Sequence, residues 1–300
     1  MSLRTFLKYT AAGRLVVMPW RFGCIALPFA RRQFRQMLRW TFDSKEHYNF
    51  TYHLKELNRK YLASYISVVS GHPYAAIEKY FAELESNDAL RTSLERRALA
   101  SPDRHNSDIE PRYGRRLGWY ALVRATKPRV ILETGVDRGL GTAVFAAALI
   151  RNTEEGFPGL VYGTDIAPAC GHLLEPPYKD FCRIILGDSI ESLKRFDQSV
   201  DIFIHDSDHR PDYEWGEFVA IEPRLHAASI VMSDNSYHTS KLLEFARRRS
   251  MSFLYFQDDP KDHWWTFDGI GAAFHPGAPS YFPKLATPGP SPASPARHLA

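Results

Sequence analysis

The sequence predicts an α/β protein: a doubly wound, mostly parallel sheet with an N-terminal helical extension. Three observations predict it. Short β-rich runs separated by helical stretches follow one another through the second half of the chain: RVILETG, LVYGTD, CRIILGD, VDIFIHD, SIVMSDN and FLYFQ. These runs are apolar almost throughout, the pattern of strands covered on both faces, as in a parallel sheet. Ahead of them, AAIEKYFAELESNDALRTSLERRALA (75–100) repeats apolar residues at helical spacing with mixed charges between.

The elements follow in order. Residues 1–42 form a basic amphipathic arm holding Arg4, Lys8, Arg14, Arg21, Arg31, Arg32, Arg35 and Arg39 and no acid, whereas the whole chain carries only +4. Its apolar stretch LVVMPWRFGCIALPFA (15–30) is interrupted by Pro19, Arg21 and Pro28 and falls short of the ~20 residues that span a bilayer. It continues into the basic ARRQFRQMLRW instead of a small-residue cleavage site, so neither a transmembrane helix nor a secretory signal is expected. Two readings of the arm stay open. Basic residues interleaved with Trp20, Phe22, Phe29, Phe34 and Trp40 suit peripheral contact with an anionic membrane surface. They suit equally a helical arm packed on the rest of the chain, or one that mediates a homo-oligomer.

Residues 43–110 read as a helical region. Its end, SPDRHNSDIEPRYG (101–114), collects Pro, Asp, Asn, Ser and Gly and reads as a loop at a domain boundary. The α/β domain is expected over 111–275, with amphipathic stretches around 139–151, 213–226 and 238–249 and GIGAAF (269–274) as a last strand. The tail from 276 to 300 repeats Pro and Ser, cannot build a core and is expected to be disordered. Cys24, Cys170 and Cys182 are odd in number and lack CxxC or Cys/His zinc spacing, so neither a disulfide framework nor a zinc site is suggested. The expected compartment is the reducing cytoplasm, to which the membrane reading of the arm would add peripheral membrane association.

Function is signalled at the strand ends. In an open α/β sheet, ligands bind at the carboxyl ends of the strands, and here the runs end on Glu133, Asp165, Asp188, Asp206 and Asp234. The turn ETGVDRGLGT (133–142) sets Gly135, Gly139 and Gly141 between a strand and a helix, where glycine permits a tight turn and close approach to a ligand. It is not the dinucleotide fingerprint, because Asp137 stands where the second glycine belongs. Acid at Glu133 and Asp137 also disfavours a phosphate cradle and suits a cationic or polyhydroxy ligand.

KPRVILETGVDRGLGT resembles the first motif, E-x-G-x-x-x-G, of class I S-adenosylmethionine-dependent methyltransferases. FIHDSDHRPDYEWGEFVAIEPRL followed by IVMSDN is similar to the subgroup called methyltransferase domain 24. The likeness covers roughly residues 115–250; LHAAS (225–229) departs from it, since a glycine pair is common before the fifth strand. The resemblance implies S-adenosyl-L-methionine as cofactor. It implies Gly135 and Gly139 against the methionine part, with Glu133 shaping the loop and Thr142 beside it. Asp165 would accept from the ribose hydroxyls, Asp188 and Ser189 would sit by the adenine, and His205 would form a wall of the cofactor pocket. The plain alternative for each acid is a strand-end cap, and Asp188 before SIESLKRF has the position for one.

At the acceptor end, the resemblance to catechol-type O-methyltransferases implies Mg²⁺ held by Asp206 and by the pair Asp234 and Asn235. Such oxygen ligands suit this ion, which as a Lewis acid would lower the acceptor hydroxyl's pKa. His209 stands three residues past Asp206, where those enzymes carry a lysine base, and a neutral imidazole can take the proton near pH 7. Asp206 and His209 are therefore the catalytic candidates, with Asp208 as an orienter of His209. The bland reading has Asp206, Asp208 and His209 as caps of a turn and helix. Tyr213 and Trp215 are candidates for the acceptor wall, though aromatics there more often pack in the core.

The leading expectation is an O-methyltransferase acting on a hydroxyl of a small-molecule or glycosidic acceptor, with the N-terminal helical region covering the site, mediating oligomers or touching membrane. A catalytically silent, regulatory binding protein of the same fold is the alternative. An NAD-type oxidoreductase is disfavoured by Asp137. Nucleic acid is not expected as a partner, because the basic residues gather in the arm while the strand ends are acidic.

Overall fold

Seven strands form one sheet in the order β3-β2-β1-β4-β5-β7-β6 in a computed structural model that describes residues 2–47, 50–234, 236–264 and 268–277. They are β1 (Val130–Thr134), β2 (Leu160–Asp165), β3 (Cys182–Leu186), β4 (Val200–His205), β5 (Leu225–Asp234), β6 (Ser252–Gln257) and β7 (Gly269–Phe274). The first five pair in parallel, and β7 runs antiparallel between β5 and β6. From β1 the chain winds outward to β2 and β3, then returns to place β4 on the other side of β1. The switch point therefore falls between β1 and β4, where open sheets bind ligands.

The arm folds as α1 (Leu3–Tyr9), α2 (Ala11–Arg21), a π-helical turn (Phe22–Ala26) and α3 (Leu27–Asp43). Next come α4 (Glu56–Ser70), α5 (Tyr74–Glu85) and α6 (Asp88–Ala100), in the helical region expected over 43–110, and then α7 (Arg116–Thr126), a helix not among the expected stretches. The sheet's own helices are α8 (Leu140–Glu154), α9 (Ser189–Arg195), α10 (Pro211–Ile221) and α11 (Lys241–Arg248). No described helix is long and apolar enough to cross a membrane. The Pro- and Ser-rich tail lies outside the described residues, apart from Pro276 and Gly277.

Strand alternation sorts the core into two clusters. Ile131, Ile202, Ile204, Ile230 and Met232 face one way, onto residues of α4, α5, α7 and α8 such as Ile66, Phe81, Trp119 and Phe145. Leu132, Phe203 and Val231 face the other way, onto Leu193 of α9, Phe218 of α10 and Phe245 of α11. The first cluster runs unbroken from α4 into the sheet, so the loop 101–114 does not separate two cores. Beyond the last apolar layer the same alternation decides which polar side chain at each strand end points to which face.

Candidate functional site

The ends of β1 and β4 meet through a backbone contact. Gly135, at φ 82°, leaves no room for a side chain: a Cβ there would lie 2.0 Å from the carbonyl oxygen of Asp206. Gly139 is left-handed too and opens α8, in keeping with the tight turn expected there. Between this turn and the loop after β4 lies a cavity of about 540 Å³, within the usual range for small-molecule sites. Its walls include Glu133, Gly135, Gly139, Asp206, His209 and Asp234, so six of the sequence-expected site residues share one space.

Strand parity explains that gathering. Glu133, Asp206 and Asp234 all fall on the α7 and α8 side. Glu133 is buried and accepts a 2.5 Å hydrogen bond from Thr142 Oγ1. Burial pushes its carboxyl up to about 8, more than that bond can offset. Thr142 thus supports Glu133 without lining the cavity. Burial and the nearby Asp234 charge push Asp206 well above the usual carboxylate range, against the pull of Arg115 and Arg116.

Asp234 behaves oppositely because Arg115 grips it. Burial would raise its carboxyl, but Arg115 Nε donates to Oδ1 at 2.5 Å and Nη2 donates to Oδ2, and the pair holds Asp234 below the usual range. The same guanidinium donates from Nη1 to Tyr52 Oη at 2.8 Å and to Asp258 at 2.7 Å, with Asp268 at 3.4 Å. Tyr52 in turn donates to Asp258. One buried cation therefore organises three acids from β5 and the segment between β6 and β7. Such a fork matches two carboxylate oxygens at once, which lysine cannot do.

Sequence reasoning missed Arg115 and, among its partners, Tyr52, Asp258 and Asp268. A signal was present: Arg115 and Arg116 open α7, where the positive end of the helix dipole disfavours cations. Arginines there call for acceptors from elsewhere, which are acids for Arg115 and the Phe50 carbonyl for Arg116. The residues that roof the cavity were not singled out either. Trp40, at the end of α3, packs edge-on against His263 and Trp264 with centroids 5.6 and 5.7 Å apart, and all three line the cavity. Phe50 lines it beside Arg138, whose guanidinium lies 4.1 Å from the ring centroid.

The remaining expected residues take other positions. Parity turns His205 to the α10 side, away from the cavity. It is fully buried, and its Nδ1 lies 2.6 Å from Glu217 Oε2. Glu217 also accepts from Thr134, Ser207 and Ser189, so His205 and Ser189 meet through this carboxylate. Asp165 accepts from the backbone N–H groups of Asp137 at 2.8 Å and Ala167 at 2.7 Å, tying the glycine turn to the end of β2. Asp188 caps α9 through Glu191 N and accepts from Tyr213 Oη. Asp208 accepts from Arg210 N and Nε, so its carboxylate turns to Arg210 and not to His209. Trp215 packs under Lys241 and Arg248, away from the cavity. Asn235 lies outside the described residues.

His209 stands on the cavity wall with Nε2 4.0 Å from Asp206 Oδ1. Burial, helped by His205 and His238, holds its imidazole below the ordinary histidine range in spite of Asp234. Asp206, His209 and Asp234 can each offer one ligand atom within 4.8 Å of the others. Two carboxylates and an imidazole fit a divalent cation in kind. Arg115, already on both Asp234 oxygens, would have to share that carboxylate.

A doubly wound α/β domain with an acid-walled cavity at its switch point is a framework on which many small-molecule sites are built. Residues 132–236 match the family described as "Methyltransferase domain". No curated protein matches the sequence. Among solved structures the chain is similar to an SAH-bound methyltransferase of Podospora anserina (16% identity, 66% of this chain and 94% of that one, TM-score 0.44). It is similar also to a SAM-bound O-methyltransferase of Streptomyces achromogenes involved in tomaymycin synthesis (16%, 62% and 90%, TM-score 0.46). A third likeness is to an SAH-bound O-methyltransferase of Bacillus cereus (16%, 63% and 91%, TM-score 0.43). Likenesses this distant say nothing about the acceptor.

Proposed function

We propose that the protein binds S-adenosyl-L-methionine and transfers its methyl group to a hydroxyl of a small-molecule or glycosidic acceptor. The observation that carries this reading is the shared cavity, with the Gly135–Gly139 turn on one wall and Asp206, His209 and Asp234 on another. Burial pushes Glu133 and Asp206 toward their neutral forms, and the sulfonium and ammonium charges of a bound cofactor would draw them back toward the ionised ones.

Methyl transfer is an in-line displacement in which the acceptor oxygen bonds to the methyl carbon as the carbon–sulfur bond breaks. The acceptor's proton must leave, and His209 is the group placed to take it. Its lowered pKa keeps the imidazole neutral, and so able to accept a proton, at neutral pH. The roof of Trp40, His263 and Trp264 limits the water that competes for the site. Asp165 acts through the turn: its two backbone hydrogen bonds fix Asp137 and Ala167 whether or not it also meets the ribose. A divalent cation such as Mg²⁺, when bound, supplies Lewis acidity to the acceptor hydroxyl. Asp206, Asp234 and Asn235 are the residues that would hold it, leaving His209 to take the proton.

The test has two stages. S-adenosylhomocysteine, and not NAD, is expected to raise the melting temperature, by an amount that grows with ligand concentration. On a panel of hydroxyl acceptors, His209→Ala is then expected to lower kcat by roughly 10²- to 10⁴-fold, the usual worth of a general base. An undiminished rate in that variant would end the role of His209, and full activity in excess chelator would remove the metal. Cofactor binding without turnover on any acceptor would favour a silent binding protein.

A further inference from the structure

The arm carries more exposed apolar surface than its own fold explains. In α1, α2, the π-helical turn and α3, Gly13 is the one buried residue among those described. Leu15, Trp20, Phe22, Phe29, Phe34 and Phe42 stand between 55% and 83% exposed. A run of such side chains on one surface marks an interaction site.

The arrangement says what kind of partner it takes. In α3, Ala30, Phe34, Met37, Leu38 and Thr41 recur at the spacing of one helical face, while Arg31, Arg35 and Arg39 follow at four-residue steps on another with Arg32 beside them. These four arginines line a shallow cleft on the protein surface, in which Asp262 is the one acid among the described residues. The sequence 1–42 holds eight basic residues and no acid. That balance repels a second copy of the same arm and attracts a surface that is apolar and anionic together.

We propose that the arm docks on an anionic lipid bilayer, seating its apolar side chains at the interface and its arginines against the lipid phosphates. The cavity follows the arm to the surface. Trp40 belongs to α3 and lines the cavity, Arg39 pairs with Asp262 at 3.5 Å, and the 17 residues of α3 extend over about 25 Å. Lipid contact and cavity mouth are thus joined by one helix. It follows that the acceptor is an amphiphile reached from the lipid surface, a step that rests on the methyl-transfer reading.

The test is co-sedimentation of the full-length protein with vesicles of phosphatidylcholine alone or mixed equally with phosphatidylglycerol. The protein is expected to pellet with the mixed vesicles, less so as salt rises. The triple variant R31Q/R32Q/R35Q is expected to partition on the order of 100-fold more weakly. Phe29→Ser with Phe34→Ser should weaken it as well. Equal pelleting of wild type and the arginine variant overturns the proposal, as does self-association in sedimentation velocity without vesicle binding. The melting shift given by S-adenosylhomocysteine is measured on the same samples and should be unchanged in these variants. Vesicle binding with no such shift supports the docking surface and removes the methyl-transfer reading alone.

Discussion

Of the large apolar side chains that stand exposed among the described residues, thirteen belong to residues 3–42 and eleven to all of 50–277. The body buries its apolar groups in two clusters on the faces of its sheet, and the arm contributes no residue to either. The arm's hydrophobic groups therefore stand outside the balance that folds the body. A similar contrast holds for charge: the buried arginines of the body, Arg115 and Arg124, are held by acids, while residues 1–42 contain no acid to hold their own.

Arginine substitution should separate the two regions most strongly. Arg115→Ala would leave Asp234 and Asp258 buried without their cation, and breaking a buried pair in this way costs about 3–5 kcal/mol. Arg35→Ala, on the exposed arm, should change stability by no more than about 0.5 kcal/mol. Urea denaturation of both variants checks this. A similar cost for the two would mean that the arm is part of the folded core.

Glu133→Gln probes the body at its least comfortable point. A carboxyl whose folded value lies near 8, against about 4.5 when unfolded, favours the folded state below pH 4.5 and loses that contribution as pH rises toward 8. The amide of the variant cannot ionise, so its stability should vary less over that window. At pH 8 the variant should be more stable than wild type by roughly 2–4 kcal/mol. Parallel pH profiles for the two proteins would show that burial of Glu133 carries no such cost. A weaker melting shift with S-adenosylhomocysteine in the variant would tie this cost to cofactor binding, since active sites often hold groups that stability alone would replace.

The two regions were also unequally legible. The strands could be read because each is a short apolar run whose pattern is local, and parity then carried Glu133, Asp206 and Asp234 to one side together. Parity worked against His205 for the same reason: adjacent to Asp206 in sequence, it must face the opposite way. Asp165, Asp188 and Asp208 are acids at the predicted loops, but their carboxylates are engaged by nearby N–H groups or by Arg210, a local competition that spacing does not resolve. Of the roof, only a covering N-terminal helical region could be expected, and not its residues. Trp40 and Phe50 lie far along the chain from His263 and Trp264, and only the folded packing brings them together over the strand ends.

Glu155 lies between the extremes of buried and exposed and should give a smaller effect than Arg115 or Glu133. It closes the junction of α7 and α8, accepting from Arg124 Nη2 at 2.6 Å and from Lys127. These donors, with Arg124 first, bring its carboxyl down to about 2 although burial opposes them. A depressed carboxylate contributes stability that is present above pH 4.5 and lost as pH falls toward 2. Because Glu155 is 45% exposed, solvent screens most of that contribution and less than about 1 kcal/mol should remain. Glu155→Gln should therefore lower the melting temperature at pH 7 by about 1–3 °C. The gap should narrow at pH 3, where the unfolded wild-type chain has already taken up its proton. A gap that stays constant between pH 7 and pH 3 would assign the effect of Glu155 to packing against α7 instead of charge.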